Sequence, residues 1–399
     1  MGSTQVSLEA GRSLLHAPSA RRALAGFGLS GLLASLLGAI LPAWGYHLKF
    51  DFVTIGNYFL SFAIGVLFSV EVGRRLLPRK GVGFVLILGS GLASAALVFL
   101  AFAPPPLPDL WRMGGLALVG LAMGLLNSGI FQAISTIYHL DPAATVNLGG
   151  IVFGLGCLLI TLLVAGTFNS YGVTSILVLA ALPPALFTAL FANTVFPPVE
   201  IPKGPTFREA LRDFRSRGAV LLALLLFFQF GNEWSIAGWL PIFLIHRLGA
   251  SPEAALEILA AYWLALMLGR IAAIAVLRRM SHGRVLLSSA AAAMFGCILL
   301  LATDNQFGAV IGILLTGAGF ATIYPLVSEK IGHRFTYYHP GLFNGIFCFA
   351  LIGAMLAPAA LGYAAGIWGV GAVMVLPLAG TIMVFVLVLL IWLESKIGG

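Results

Sequence analysis

The stretch FVTIGNYFLSFAIGVLFSVEVGRRLLPRKGVGFVLILGSGLASAALVFLAFA, Phe52 to Ala103, contains two apolar runs, Phe52–Gly73 and Gly81–Ala103. Between them lies a short basic connection with Arg74, Arg75, Arg79 and Lys80. Each run reaches the roughly 20 apolar residues that carry a helix across a bilayer core of about 30 Å. The runs are too long and too continuous for a transmembrane barrel, whose strands alternate in short segments. Lys and Arg favour the cytoplasmic side of a membrane, so the connection between the two runs is expected to face the cytoplasm.

The same division works along the whole chain. It predicts twelve spans: Ala23–Ala43, Phe52–Gly73, Gly81–Ala103, Leu110–Tyr138, Thr145–Thr167, Gly172–Phe196, Ala219–Ile245, Ala254–Leu277, Val285–Ala302, Phe307–Glu329, Gly341–Ala365 and Gly369–Leu393. The expected class is an all-α membrane protein. Composition agrees: of 399 residues, 60% are hydrophobic and only 9% charged, with a mean hydropathy of +1.03. A soluble domain is about half apolar and about a quarter charged. A soluble enzyme, a nucleic-acid binder and a disordered chain are therefore excluded, although the net charge is +8. That charge reflects orientation. Nearly all of the 22 Lys and Arg fall in alternate connections; Lys49, Arg112 and Arg247 lie on the other side, and Arg270 alone lies within a span. Both termini are expected in the cytoplasm, and an even span count agrees, since it puts them on one side. The first span is read as the anchor itself, because the first twenty residues lack the layout of a cleaved signal peptide. The expected location is the plasma (inner) membrane.

The longest polar connection suggests five parts: a tail 1–22, a six-helix unit 23–196, a linker 197–218, a second six-helix unit 219–393 and a tail 394–399. In the linker, Phe207, Leu211 and Phe214 recur at helical spacing among Arg208, Arg212 and Arg215. That suits either a helix on the inner membrane surface or a plain linker with a helical turn. The units also echo each other. Tyr58, Gly65, Arg74 and Arg75 share the spacing of Tyr262, Gly269, Arg278 and Arg279; Asn147 and Gly156 share that of Asn344 and Gly353. A duplicated six-helix unit fits a transporter whose halves rock about a central site. Gly120 with Gly124, Gly150 with Gly154, and Gly362 with Gly366 are small-xxx-small pairs that allow close helix packing.

These features resemble the major facilitator superfamily, and more finely its fucose permease-like branch. The stretches FGNEWSIAGWLPIFL (Phe230–Leu244), NLGGIVFGLGCLL (Asn147–Leu159), GFATIYPLVSE (Gly319–Glu329) and NGIFCFALIGAMLAPAALG (Asn344–Gly362) carry the finer likeness. The resemblance implies two pseudo-symmetric six-helix bundles, proton-coupled sugar transport and a working monomer. Two features depart from it. The superfamily loop after span two usually reads Gly-x-Leu-x-Asp-Arg-x-Gly; here Arg74–Gly81 reads RRLLPRKG, so its acidic partner is missing or moved to Glu71. The acids that branch members often carry on spans one and four are absent.

Of 14 acidic residues, only Glu233 falls near mid-membrane; the rest lie in loops or at span ends. An intramembrane acid costs about 2.5–3.5 kcal/mol on insertion scales and is a site hypothesis by default. Burial favours the neutral form of a carboxyl group, so Glu233 is the expected proton-coupling residue. The alternative is a neutral Glu hydrogen-bonded to a neighbouring helix. Gln229, Asn232, Glu233 and Ile236 share one helical face, which suggests a cavity wall with Trp234 beside it. Asn127 and Gln132 are amides on span four, about 140° apart around a helix, so only one can point fully into a cleft. Trp263 and Tyr324 are further candidate cavity residues, whereas Trp239 is read as packing. Arg270 is assigned to gating or structure ahead of substrate contact, as are Arg74, Arg75, Arg79, Arg278 and Arg279. Asn147 and Asn344 are read as matched structural joints. Tyr324–Pro325 is expected to bend span ten.

The sequence contains no His-Glu-x-x-His, P-loop or Gly-x-Ser-x-Gly pattern. Cys157, Cys297 and Cys348 lie in apolar runs with no ligand at metal spacing. Enzyme activity, cofactor and metal are thus not expected. The expected partners are a small-molecule substrate, a proton and membrane lipids, with no nucleic acid. Three functions remain open: proton-coupled transport of a small polar solute such as a sugar, export or flipping of a drug-like or lipid-like amphiphile, and a non-transporting sensor.

Overall fold

The computed structural model describes residues 17–49, 51–198, 214, 216–334 and 345–397. The helices are α1 (Pro18–Ala43), α2 (Phe52–Ala101), α3 (Asp109–Ala133), α4 (Ser135–Leu140), α5 (Pro142–Thr167), α6 (Val173–Ala192), α7 (Arg217–Leu248), α8 (Pro252–Val276), α9 (His282–Ala302), α10 (Gln306–Phe320), α11 (Ile323–Arg334), α12 (Gly345–Trp368) and α13 (Ala372–Ile397). Eleven helical stretches among the described residues are long and apolar enough to cross a membrane.

One of those stretches contains two spans. With 50 residues, α2 would run about 75 Å as a straight helix, more than twice a bilayer core. It is interrupted at Gly81, whose φ of 81° and ψ of 173° suit a residue without a Cβ. Packing reveals the reversal. Gly65, then Ser69, meet Ala117, then Gly124, in ascending order, so α3 runs parallel to the first part of α2. Leu100, then Leu86, meet Gly115, then Gly129, so α3 runs antiparallel to the second part. Twelve spans result.

Two expected spans are broken. Span four ends its long helix at Ala133 and resumes as the six-residue α4. Span ten breaks at Ala321 and Thr322, between α10 and α11. Pro325 supplies a cause in span ten: it has no N–H for the Ala321 carbonyl, and its ring crowds the preceding turn. Elsewhere the local sequence marks the helix starts. Asp141 and Ser251 accept from the backbone N–H of Ala144 and Ala254, each followed by a proline at the first helical position, where no donor is needed. The linker residues Phe207 and Leu211, and Asn344, lie outside the described residues.

The helices pair in matching ways in the two halves. α1 packs on α5 as α7 packs on α12, and the first part of α2 packs on α3 as α8 packs on α10. The repeated glycines sit at these crossings. A methyl on Gly156 would lie 1.8 Å from the Gly28 carbonyl oxygen, and one on Gly353 would lie 2.2 Å from that of Phe227. Likewise Gly65 faces Ala117, and Gly269 faces Ala318 and Ala321. The halves meet through α5 against α8, α2 against α12 and α1 against α7. Large apolar residues such as Phe68, Leu186, Ile271 and Leu356 remain exposed on the outer surface, as expected where lipid replaces water.

On the face opposite the termini, the halves are pressed together. Gly38 meets Ala237, and Gly362 meets Gly56. Phe59 stacks on Trp239 at 5.8 Å and 29°, and the Tyr363 hydroxyl donates to Asn57 Oδ1 at 2.6 Å. Beside this seal, the buried Arg112 ties α3 to its neighbours. It donates to the Tyr58 hydroxyl, the Ala103 and Leu107 carbonyls and Asp109.

Candidate functional site

A cavity of about 210 Å³ lies between the halves, on the termini side of that seal. Phe27 of α1, Asn127 and Phe131 of α3, Gly150 and Phe153 of α5, Phe230, Glu233 and Trp234 of α7, Arg270 of α8 and Tyr324 of α11 all line it. The walls are largely aromatic and aliphatic. A smaller hollow of about 60 Å³, bounded by Leu37, Phe59, Phe62, Trp234, Met355 and Pro358, adjoins it.

Among the described residues, Glu233 and Arg270 are the two charged residues on the cavity wall. Both are buried, with exposures of 9% and 5%. No ion pair closer than 4.0 Å joins them among the described residues, and Arg270 Nε has no hydrogen-bond partner. The guanidinium approaches the backbone of α5 end-on through Nη1: a methyl on Gly150 would sit 1.2 Å from Nη1 and 2.4 Å from Cζ. One turn earlier on α5, Asn147 Nδ2 donates to the Arg270 carbonyl at 3.2 Å. Across the cavity, Ser30 Oγ donates to Asn127 Oδ1 at 2.8 Å, leaving the amide N–H donors of Asn127 uncommitted by that bond. Trp234 meets Phe153 edge-on at 6.2 Å, and Phe230 meets Tyr324 edge-on at 5.0 Å. The arrangement can hold a solute of monosaccharide size between an acid, a base and ring faces.

Residues 23–350 match the family model of the Major Facilitator Superfamily. The chain belongs to the major facilitator superfamily. It is a membrane transporter with no enzymatic role. A curated relative, an uncharacterised MFS-type transporter from Yersinia pestis, is 22% identical over 354 residues, covering 85% of this chain and 87% of that protein. The crystal structure of the superfamily transporter FucP in the outward conformation is similar, with a TM-score of 0.64 at 16% identity, covering 95% of this chain and 99% of that one. A variant of FucP, described as the E. coli fucose:proton symporter, gives 0.63 at 16% identity, covering 93% and 98%. At such identity these structures establish the fold.

Within this superfamily fold, the residues singled out from sequence divide into groups. Glu233, Trp234, Asn127, Arg270 and Tyr324 come together on the cavity wall. Gln229 and Asn232 do not. Gln229 is fully buried and does not line the cavity, although it lies beside the Glu233 carboxyl, and Asn232 Oδ1 faces Gly380 of α13. The polar stripe of α7 thus turns into its own bundle, and Phe230 and Trp234 flank Glu233 on the cavity side. Gln132 is buried off the cavity. Trp263 is also buried off it, and its indole donates to Ser35 Oγ at 2.9 Å, joining α8 to α1. Trp239 donates to the Pro358 carbonyl at 2.9 Å, a packing role. Arg74, Arg75, Arg79, Arg278 and Arg279 are exposed on the termini face. Glu71 pairs with Arg74 at 2.8 Å and with Arg75 at 2.5 Å. Phe27, Phe131, Phe153 and Phe230 also line the cavity, although nothing in the sequence sets them apart from packing aromatics. The small-xxx-small spacing marks Gly150 as a packing glycine; its missing side chain is what admits Arg270. Among the described residues, no cluster could hold a metal ion.

Proposed function

We propose that this superfamily member is a secondary active transporter that couples a proton to a small polar solute, such as a sugar or sugar derivative, by alternating access. The observation that carries this reading is the position of Glu233: a buried carboxyl on the wall of a cavity at the seam between the halves. Such a group can take a proton from one side and release it to the other. The sugar assignment rests on the likeness to FucP. The moving units are residues 23–196 and 219–393, joined by the linker 197–218. The chain works as a monomer in the inner membrane with both termini in the cytoplasm, as its basic connections indicate.

The test is solute uptake into proteoliposomes under an imposed pH gradient. Glu233→Gln is expected to abolish uphill uptake while leaving solute exchange. Uptake that still follows the pH gradient in this variant would remove Glu233 from the mechanism.

A second reading, movement of a drug-like or lipid-like amphiphile, is favoured by one observation: Phe27, Phe131, Phe153, Phe230 and Trp234 make much of the wall apolar. Competition of such compounds with the solute separates the two readings.

A further inference from the structure

A guanidinium is cationic at every physiological pH, and a buried one requires a compensating anion. Among the described residues, the cavity offers Arg270 one acid, Glu233, which faces it without contact. The other titratable groups that act most strongly on Arg270 among the described residues are Tyr324 of α11, Tyr262 of α8 and Cys157 of α5. Thiols and phenols are neutral at pH 7 at their ordinary values. With Glu233 ionised, the cavity therefore has zero net charge. With Glu233 protonated, it has one uncompensated positive charge. A neutral solute arriving with the proton would leave that charge buried; a monoanion would cancel it.

The geometry suits the capture of such an anion. Arg270 meets α5 at two points, Gly150 at the Nη1 tip of the guanidinium and Asn147 on its carbonyl. Its Nε is buried without a partner, so the guanidinium has an unmet need for an acceptor, which a carboxylate supplies once the side chain turns towards it. Asn127 offers amide donors nearby, and Phe153 and Trp234 offer ring faces for the body of the solute.

We propose that the solute of this cavity is a small organic monoanion whose carboxylate pairs with Arg270, carried together with a proton on Glu233. This rests on the proton-coupled reading above and narrows its solute to acids. The cavity then has the same net charge when empty (Glu233 ionised) as when loaded (Glu233 protonated, anion bound). Transport moves no net charge.

The test uses the purified full chain and matched pairs of compounds: D-galacturonate against D-galactose, and 3-phenylpropionate against 3-phenylpropionamide. Binding is read as a rise in Tm. An acid is expected to stabilise where its neutral partner does not, increasingly as pH falls from 8 to 6. Arg270→Gln should abolish the shift and Arg270→Lys should keep part of it, while Glu233→Gln should keep it without the pH dependence. In proteoliposomes, uptake of the bound acid should be insensitive to a potassium diffusion potential. The comparison of acid with neutral partner in the unaltered protein does not depend on any variant folding. Equal stabilisation by the neutral partners, undiminished binding in Arg270→Gln, or no acid binding at all would overturn the proposal. Uptake of a neutral solute with a proton that moves charge would overturn it and leave the proton-coupled reading standing. An acid carried without any response to a pH gradient would sink that reading as well.

Discussion

Arg270 of α8 points its Nη1 at Gly150 of α5, so close that a methyl at Gly150 would be 1.2 Å from that nitrogen. Gly150→Ala therefore has no way to keep the guanidinium where it is. The variant is expected to fold, because Arg270 can swing, and to lose roughly tenfold or more of its uptake, since displacing a binding group by an ångström is costly. Uptake rates together with a melting curve check this; unchanged uptake would show that the position of Arg270 is immaterial.

On the opposite face, a Cβ at Gly362 would lie 2.5 Å from the Gly56 Cα. Gly362→Val cannot keep α12 and α2 in contact, and overpacking of this kind costs about 1–3 kcal/mol. The penalty falls on the sealed arrangement alone. Spin labels at Lys49→Cys and Arg247→Cys, one on each half and both exposed, should report a longer distance in the Gly362→Val background.

The indole of Trp263 donates to Ser35 Oγ across the seam at 2.9 Å. Trp263→Phe removes the donor and keeps an aromatic ring. A net loss of about 1 kcal/mol would shift the balance roughly fivefold towards opening on the face away from the termini. The same pair of spin labels measures that shift.

Arg112 is 3% exposed and shares Asp109 with Tyr46 and Tyr58, whose hydroxyls donate to the same oxygen at 3.4 Å and 2.8 Å. Asp109→Ala leaves a buried cation with neutral partners and should cost about 2 kcal/mol of stability. Adding Arg112→Leu should restore part of the loss, because replacing both members of a buried pair is far milder than removing one. Denaturation of the two variants in mild detergent distinguishes them; a double variant weaker than the single one would contradict this account.

The architecture was legible in the sequence because a bilayer leaves few options. Every backbone group in hydrocarbon must be bonded within its segment, so apolar length alone marked the spans. The paired glycines were legible for a related reason. Gly156 and Gly353, and Gly65 and Gly269, sit where two helix backbones touch, and only a residue without a side chain fits there. Pro325 signalled the break in span ten. The break after Ala133 had no such marker, since it carries neither proline nor glycine. The site was legible in part. Helical spacing fixes the angles between Gln229, Asn232 and Glu233, but it leaves open which way the set faces the partner helices. Here Gly380 meets Asn232, and the cavity receives Phe230 and Trp234 with Glu233. From sequence, Arg270 is assigned to gating or structure ahead of substrate contact, and its place on the cavity wall depends on Gly150, more than a hundred residues away in the chain.

The two helix breaks, at Ile134 and at Ala321–Thr322, have a further consequence. Both fall towards the end of the molecule where the termini emerge, and they leave there the short pieces α4 and α11. A doorway framed by short jambs can widen by pivoting each at its own joint. The far doorway is framed by full-length rods, and it can part only if an entire half swings. Opening on the termini side can thus be graded, whereas opening on the other is all-or-none.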